Sequence, residues 1–312
     1  MIAPLEKKYT NYKFPKFTLS LVGLCIILYL GISSLNKFGP IEEKYYALFG
    51  APYAIDIYRG QFWGVITNSF VHVLFLQLLF NIFPVFFFAS FIERRLGWLS
   101  IFLLGLISSA VTSSIQLAVS DDPGLGLAGI NFCLYSFIFV RSFYDKRFDF
   151  KAKYFVLIVM LFILLGCQYL NVFEGWNFGI ASMLGGILWG AICSFPVNRT
   201  IRLLQAVILV LSIGSLIYAP WSAEWYCAKG VSYHEEGNLE LATLNYKRAI
   251  QLDNEHYLAT ENLKIVEIDK LSDLAYIAHY HRKYSLARRY YLKILRLDKQ
   301  NKWAKENLKN LP

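Results

Sequence analysis

Residues 61–97 read QFWGVITNSFVHVLFLQLLFNIFPVFFFASFIERRLG, an apolar segment with polar side chains set into it. Its apolar run is long enough to cross a bilayer, which takes about 20 residues as a helix. Three polar side chains sit inside the run: His72, Gln77 and Asn81. In hydrocarbon an unpaired polar group costs roughly several kcal/mol. Gln77 and Asn81 are four residues apart and share a helical face, so that face must look into protein. Such a cluster marks a site by default. Hydrogen-bonded glue between helices uses the same residue types, and the residues alone leave both readings open. Pro84 removes one donor and frees the carbonyl of Phe80, which predicts a kink.

The chain around this stretch has the composition of a multi-span membrane protein. It has 312 residues, 56% hydrophobic and 17% aromatic, too apolar for a soluble chain of this length. The net charge is +9. Much of the excess lies in the amino-terminal segment and short loops, which argues for membrane orientation rather than nucleic-acid binding. Lys7, Lys8, Lys13 and Lys16 against one Glu place the amino terminus in the cytoplasm. No cleavable signal peptide is expected, because the apolar run after residue 16 is too long for a signal core. Cys25, Cys133, Cys167 and Cys193 lie in apolar runs and only Cys227 lies outside them, so no disulfide framework follows.

Hydropathy predicts seven crossings. The first is Phe17–Leu35 and the second lies within residues 61–97, with a long Tyr-rich loop, Asn36–Gly60, between them. Leu99–Val119 follows, then a span after Gly129, then Tyr154–Leu170, Gly175–Phe195 and Leu203–Trp221. The acidic loop at Ser120–Gly124 and the loop with Glu174 read as outer. The basic loop Arg141–Lys153 and the pair Arg199 and Arg202 read as cytoplasmic. Seven crossings from an inside start leave the carboxy terminus outside. Gly186 and Gly190 form a Gly-x-x-x-Gly face for close helix packing.

From Ser222 onward the chain turns polar and repeats itself. Tyr246–Asp253 returns as Tyr291–Asp298, and Glu261–Lys264 as Glu306–Lys309, both 45 residues later.

The first stretch resembles the second transmembrane helix of the rhomboid intramembrane serine proteases. The similarity is carried by Gly60-Gln61-Phe62-Trp63, Thr67, His72, Gln77, Leu79-Phe80-Asn81 and Glu93-Arg94-Arg95-Leu96-Gly97. The resemblance implies that His72 and Asn81 occupy invariant motif positions and that Gln77 stands where a second His is usual. It also implies a first loop lying partly in the outer leaflet, and a buried ion pair where ERRLG closes the span. The chain departs from the family in three places. The family's Trp-Arg pair reads Trp63-Gly64. Its Gly-x-Ser-Gly reads Gly126-Leu127-Ala128-Gly129, so Ala128 takes the nucleophile position. Alignment on Gly186 and Gly190 puts Met183 at the position of the general base. Ala128 cannot attack a carbonyl and Met183 cannot take a proton. Ser182 has no partner to activate it, Cys133 lies one turn deeper than Gly129 and reads as a buried small apolar residue, and four of the five histidines (His234, His256, His279, His281) fall after Ser222.

The expected fold is all-α: a polytopic helical membrane protein with a rhomboid-like bundle of six core helices plus a seventh, residues 1–221. A small helical repeat domain, residues 222–312, follows. That domain resembles tetratricopeptide repeats at Gly230, Tyr233, Ala242, Tyr246 and Ala249, and again at Ala275, Ala287 and Tyr291, although the usual period is about 34 residues. The loss of both nucleophile and base, at Ala128 and Met183, resembles the rhomboid pseudoproteases, which bind transmembrane clients without cutting them. The expected residual pocket is His72, Gln77, Asn81, Gly126 and Gly129, with no metal and no cofactor. The expected setting is a bacterial inner (plasma) membrane. The expected partners are transmembrane, periplasmic or extracellular proteins, and no nucleic acid. Two rival readings are an active protease with divergent catalytic groups and a membrane-anchored repeat scaffold.

Overall fold

A computed structural model describes residues 14–35, 45–174 and 178–312. Lys7, Lys8, Lys13, the loop residues 36–44 and the first residues of the expected sixth span, 175–177, lie outside the described residues. The chain divides into two compact units, Met1–Ala219 and Pro220–Pro312.

The first unit is helical throughout its described part. Five of its helices are long and apolar enough to cross a membrane: α1 (Lys16–Leu35), α4 (Phe75–Leu96), α5 (Trp98–Ser120), α7 (Lys153–Glu174) and α9 (Arg199–Ile217). Two short helices, α2 (Ala54–Tyr58) and α3 (Gly64–Thr67), lie in the chain between α1 and α4. The remaining two, α6 (Ala128–Arg141) and α8 (Ile180–Ser194), have only 14 and 15 residues. At 1.5 Å per residue each spans only about 22 Å, less than a hydrocarbon core. Burial explains why so short a helix as α6 is stable here, whereas α8 still exposes Leu184 and Leu188. Every residue of α6 from Gly129 to Ile138 is buried, so its surroundings are other helices rather than lipid. By contrast α7 exposes Phe155, Ile158, Phe162 and Leu165, and α9 exposes Leu203, Val210 and Leu211, as lipid-facing helices should.

The expected sixth span is thus shorter than its 21-residue apolar run, and the seventh starts four residues earlier than hydropathy places it. Asn198 sets that start by accepting from Ile201 N at 2.9 Å, an N-cap that satisfies an otherwise orphan donor.

Two corners fix the order of the bundle. Gly97, at φ +89°, turns α4 into α5 with no further linker. Glu93 near the end of α4 reaches the start of α1: its two oxygens accept from Phe17 N (3.0 Å), Thr18 N (2.8 Å) and Thr18 Oγ1 (2.6 Å). The first turn of a helix has four unpaired N–H groups, and a carboxylate there also favours the helix dipole. Among the described residues, the partners of Glu93 are the donors of α1 rather than a guanidinium. Arg95 instead lies over the ring of Phe91, 3.3 Å from its centroid, and donates to the carbonyls of Phe91 and Arg147. Helix α4 runs unbroken through Pro84.

The second unit carries α10 (Ala223–Glu235), α11 (Leu239–Leu252), α12 (Tyr257–Tyr280), α13 (Tyr284–Leu297) and α14 (Lys302–Lys309). The 45-residue repeat holds at the level of atoms. Ala242, Tyr246, Ala249 and Ala259 are fully buried, and so are their counterparts Ala287, Tyr291, Ile294 and Ala304. His256 caps α12 by accepting from Ala259 N at 3.1 Å, and Asn301 caps α14 by accepting from Ala304 N at 3.0 Å. A Cβ on Gly230 would lie 2.5 Å from the ring of Tyr246, which is why the first copy needs glycine there. Helix α12 is 24 residues long. It runs the last helix of one copy into the first helix of the next.

Candidate functional site

The site is built around the loop Gly124–Leu127 where it enters α6. Gly126 has φ +89°, a left-handed conformation that glycine adopts freely. Its backbone N–H donates to the carbonyl of Asn68 at 3.1 Å. A Cβ placed on Gly126 would lie 3.1 Å from Asn81 Nδ2, 3.1 Å from His72 Nε2 and 3.2 Å from Gln77 Nε2. Three side-chain nitrogens from one ten-residue stretch, residues 72–81, therefore converge on one glycine.

Each is held from behind. Gln77 donates through Nε2 to Leu125 O (3.0 Å) and accepts through Oε1 from Val73 N (3.0 Å). Asn81 donates to Gln77 O at 2.9 Å, and Asn131 Nδ2 on α6 reaches both Asn81 O (3.0 Å) and Asn81 Oδ1 (3.3 Å). His72 is fully buried and its Nδ1 lies 3.1 Å from Phe70 O. That contact puts the proton on Nδ1 and leaves Nε2 as the ring's free acceptor, with no partner among the described residues. His72 is not within the spanning helix, as the apolar run suggests. A 3₁₀ turn, Asn68–Phe70, and an extended Val71 precede it, and α4 begins only at Phe75.

Gly186 and Gly190 bring α8 against α6. A Cβ on Gly186 would sit 2.2 Å from Gly129 O, and one on Gly190 would sit 2.1 Å from Cys133 O. The two contacts advance together along both chains, so the helices run parallel with their backbones touching. Gly129 is itself wedged against α5, where its Cβ would meet Thr112 Oγ1 at 2.7 Å. This packing sets Ala128 and the buried Met183 in the same apolar cluster. Neither offers a proton donor or acceptor.

The possible substitutes are occupied or inaccessible. Ser182 Oγ donates to Gly179 O at 2.6 Å, and its backbone N–H is taken by Gln116 Oε1 at 2.9 Å. Cys133 is fully buried against Val111 and Trp189. Trp63-Gly64 also has a structural reason: a Cβ on Gly64 would lie 2.5 Å from Pro52 and 2.9 Å from Ile57, leaving no room for an arginine. Among the described residues no group of three or more His, Cys, Asp or Glu side chains could hold a metal.

Sequence reasoning missed Asn68, Gln116 and Asn131. All three are buried, and Gln116 and Asn131 are amides in apolar helices, the same signal that singled out Gln77 and Asn81.

Comparison with known proteins covers the same stretch of chain. The family model of the Rhomboid domain matches residues 59–200, which hold every site residue named above. Rhomboid protease GlpG of Haemophilus influenzae is 27% identical over 181 residues, covering 58% of this chain and 90% of that protein. Rhomboid protease GluP of Bacillus subtilis is 28% identical over 276 residues, covering 83% of this chain and 53% of that protein. Rhomboid-like protease 1 of Toxoplasma gondii is 26% identical over 213 residues, covering 62% and 70%. The first unit is 219 of the 312 residues, so the 83% match to the Bacillus protein reaches into the second unit.

Proposed function

We propose that this rhomboid-like membrane protein binds transmembrane or extracytoplasmic protein clients without hydrolysing them. The reading is supported by the pairing of a polar cluster at Gly126 with apolar side chains at the two positions that the family resemblance assigns to nucleophile and base. His72, Gln77 and Asn81 still converge on Gly126, while Ala128 and Met183 stand where attack and proton transfer would occur. Acyl transfer needs a nucleophile, a base in reach and donors for the oxyanion, and only the donors remain. Asn81 and Gln77 amides can hydrogen-bond a client backbone carbonyl that has left its helix, a group that needs a partner inside a bilayer. We place the protein in a bacterial plasma membrane with its amino terminus inside. The second unit, read as a pair of tetratricopeptide-like repeats, faces outward as an additional protein-binding surface.

The relatives are named as proteases, which keeps one rival in view: an active protease with an unrecognised nucleophile. Purified full-length protein tests both. The proposal expects photo-crosslinking to a transmembrane peptide that weakens on Asn81→Ala or Gln77→Ala, with no cleavage product and no fluorophosphonate labelling. Cleavage that disappears on replacing Gln77 refutes it.

A further inference from the structure

The two copies of the repeat share a core but not a surface. At the 45-residue offset the outward residues of α11, Thr243, Leu244, Arg248 and Gln251, become Arg288, Arg289, Lys293 and Arg296 of α13. Asn254, Tyr257 and Thr260 likewise become Lys299, Lys302 and Lys305. Residues 282–312 carry ten Lys and Arg against two acids, net +8, whereas residues 222–281 carry five against ten, net −5. All ten cations are exposed, and none forms an ion pair among the described residues. The first copy folds the same way without them, so packing does not require them. Concentrated like charge destabilises a compact unit through self-repulsion, which makes an external polyanion the natural complement.

Three features select a lipid surface among polyanions. Helix α13 is amphipathic, with exposed Leu292 set among its cations, the pattern of a helix that lies in a membrane interface. Tyr276, Tyr280 and Trp303 are exposed beside it, and Tyr and Trp prefer the headgroup region. Only five residues, Tyr218–Ser222, join the last apolar helix to α10, so the bilayer is available to this unit at high effective concentration. We infer that the second repeat is a docking surface for anionic phospholipid headgroups, engaged chiefly by Arg288, Arg289, Lys293 and Arg296. Such basic clusters near a membrane helix are drawn to anionic leaflets and released by salt.

The test uses the full chain, one copy per nanodisc, with an environment-sensitive fluorophore attached through Asn310→Cys. The native cysteines are buried or half-buried. Discs contain phosphatidylcholine alone or mixed with phosphatidylglycerol. The expected result is a blue shift and protection from iodide quenching only in the anionic discs, reversed by high salt. Both effects should be lost when the four α13 cations are changed to Gln in a variant whose melting is unchanged. Identical emission in the two discs overturns the inference, even if that variant fails to fold, since this comparison needs only the labelled wild-type surface. A shift that appears only with two copies per disc overturns it in favour of the acidic first repeat of a second copy. Displacement by soluble RNA without any response to phosphatidylglycerol overturns it in favour of nucleic acid.

Discussion

Replacing Gly186 or Gly190 by Ala tests the contact on which the site is built. The added Cβ would lie 2.2 Å from Gly129 O or 2.1 Å from Cys133 O, more than 1 Å inside ordinary contact. Both obstacles are backbone atoms of a fully packed helix, so no rotamer change relieves the clash and α6 must part from α8. Overpacking of a core costs about 1–3 kcal/mol, and a rigid backbone obstacle places each variant near the upper end, about 3 kcal/mol. Gly166→Ala and Gly214→Ala are the controls, because nothing lies within 4 Å of a Cβ at either position. There the change should stabilise by up to about 1 kcal/mol through helix propensity. At roughly 2–4 °C per kcal/mol for a unit of this size, the first pair should melt about 6–12 °C below wild type and the second pair slightly above it. Cys133 is a built-in reporter, being fully buried at the same interface. With Cys25, Cys167, Cys193 and Cys227 changed to Ala, its reaction with a fluorogenic maleimide during a thermal ramp in detergent follows opening directly. If Gly186→Ala and Gly190→Ala melt with the controls, α8 does not hold α6 by backbone contact, and the placement of Ala128 beside Met183 loses its basis.

Three further outcomes are expected. The double substitution Ala128→Ser with Met183→His should gain fluorophosphonate labelling, while Ala128→Ser alone should stay at least about 10³-fold slower, since an unactivated hydroxyl lacks its base. Labelling of the single variant at the rate of the double would disprove the assignment of Met183 to the base position. In the second unit, Arg282 sits at φ +56° where the first copy has Gly237 at +77°; Arg282→Gly should therefore stabilise α12 and α13 by about 1 kcal/mol, read as slower hydrogen exchange there. In the loop between α6 and α7, Arg147, helped by Arg141, holds the Asp145 carboxyl well below the usual carboxylate range. A depressed folded-state value contributes stability above the unfolded value of about 3.9. The difference in melting between wild type and Asp145→Asn, about 1 kcal/mol for such a partly exposed cluster, should be constant above about pH 5 and shrink as pH falls below about 4.

Much of this protein was legible as local pattern. Apolar runs located the long helices because hydropathy reports which segments lipid will accept. The 45-residue echo located the buried positions of the second unit because the same helical faces must be covered in both copies. Amides at Gln77 and Asn81 announced a protein-facing surface because hydrocarbon offers them no partner. The tertiary structure decided what distant segments do to one another. It placed His72 outside the helix that its apolar neighbours suggest and brought its ring to Gly126 beside Gln77 and Asn81. It sent Glu93 to the start of α1 instead of to an arginine. It let α6 be too short to span because α4, α5 and α8 pack around it. None of these depends on periodicity, since each pairs groups separated by tens of residues, and only the folded chain brings such groups within bonding distance.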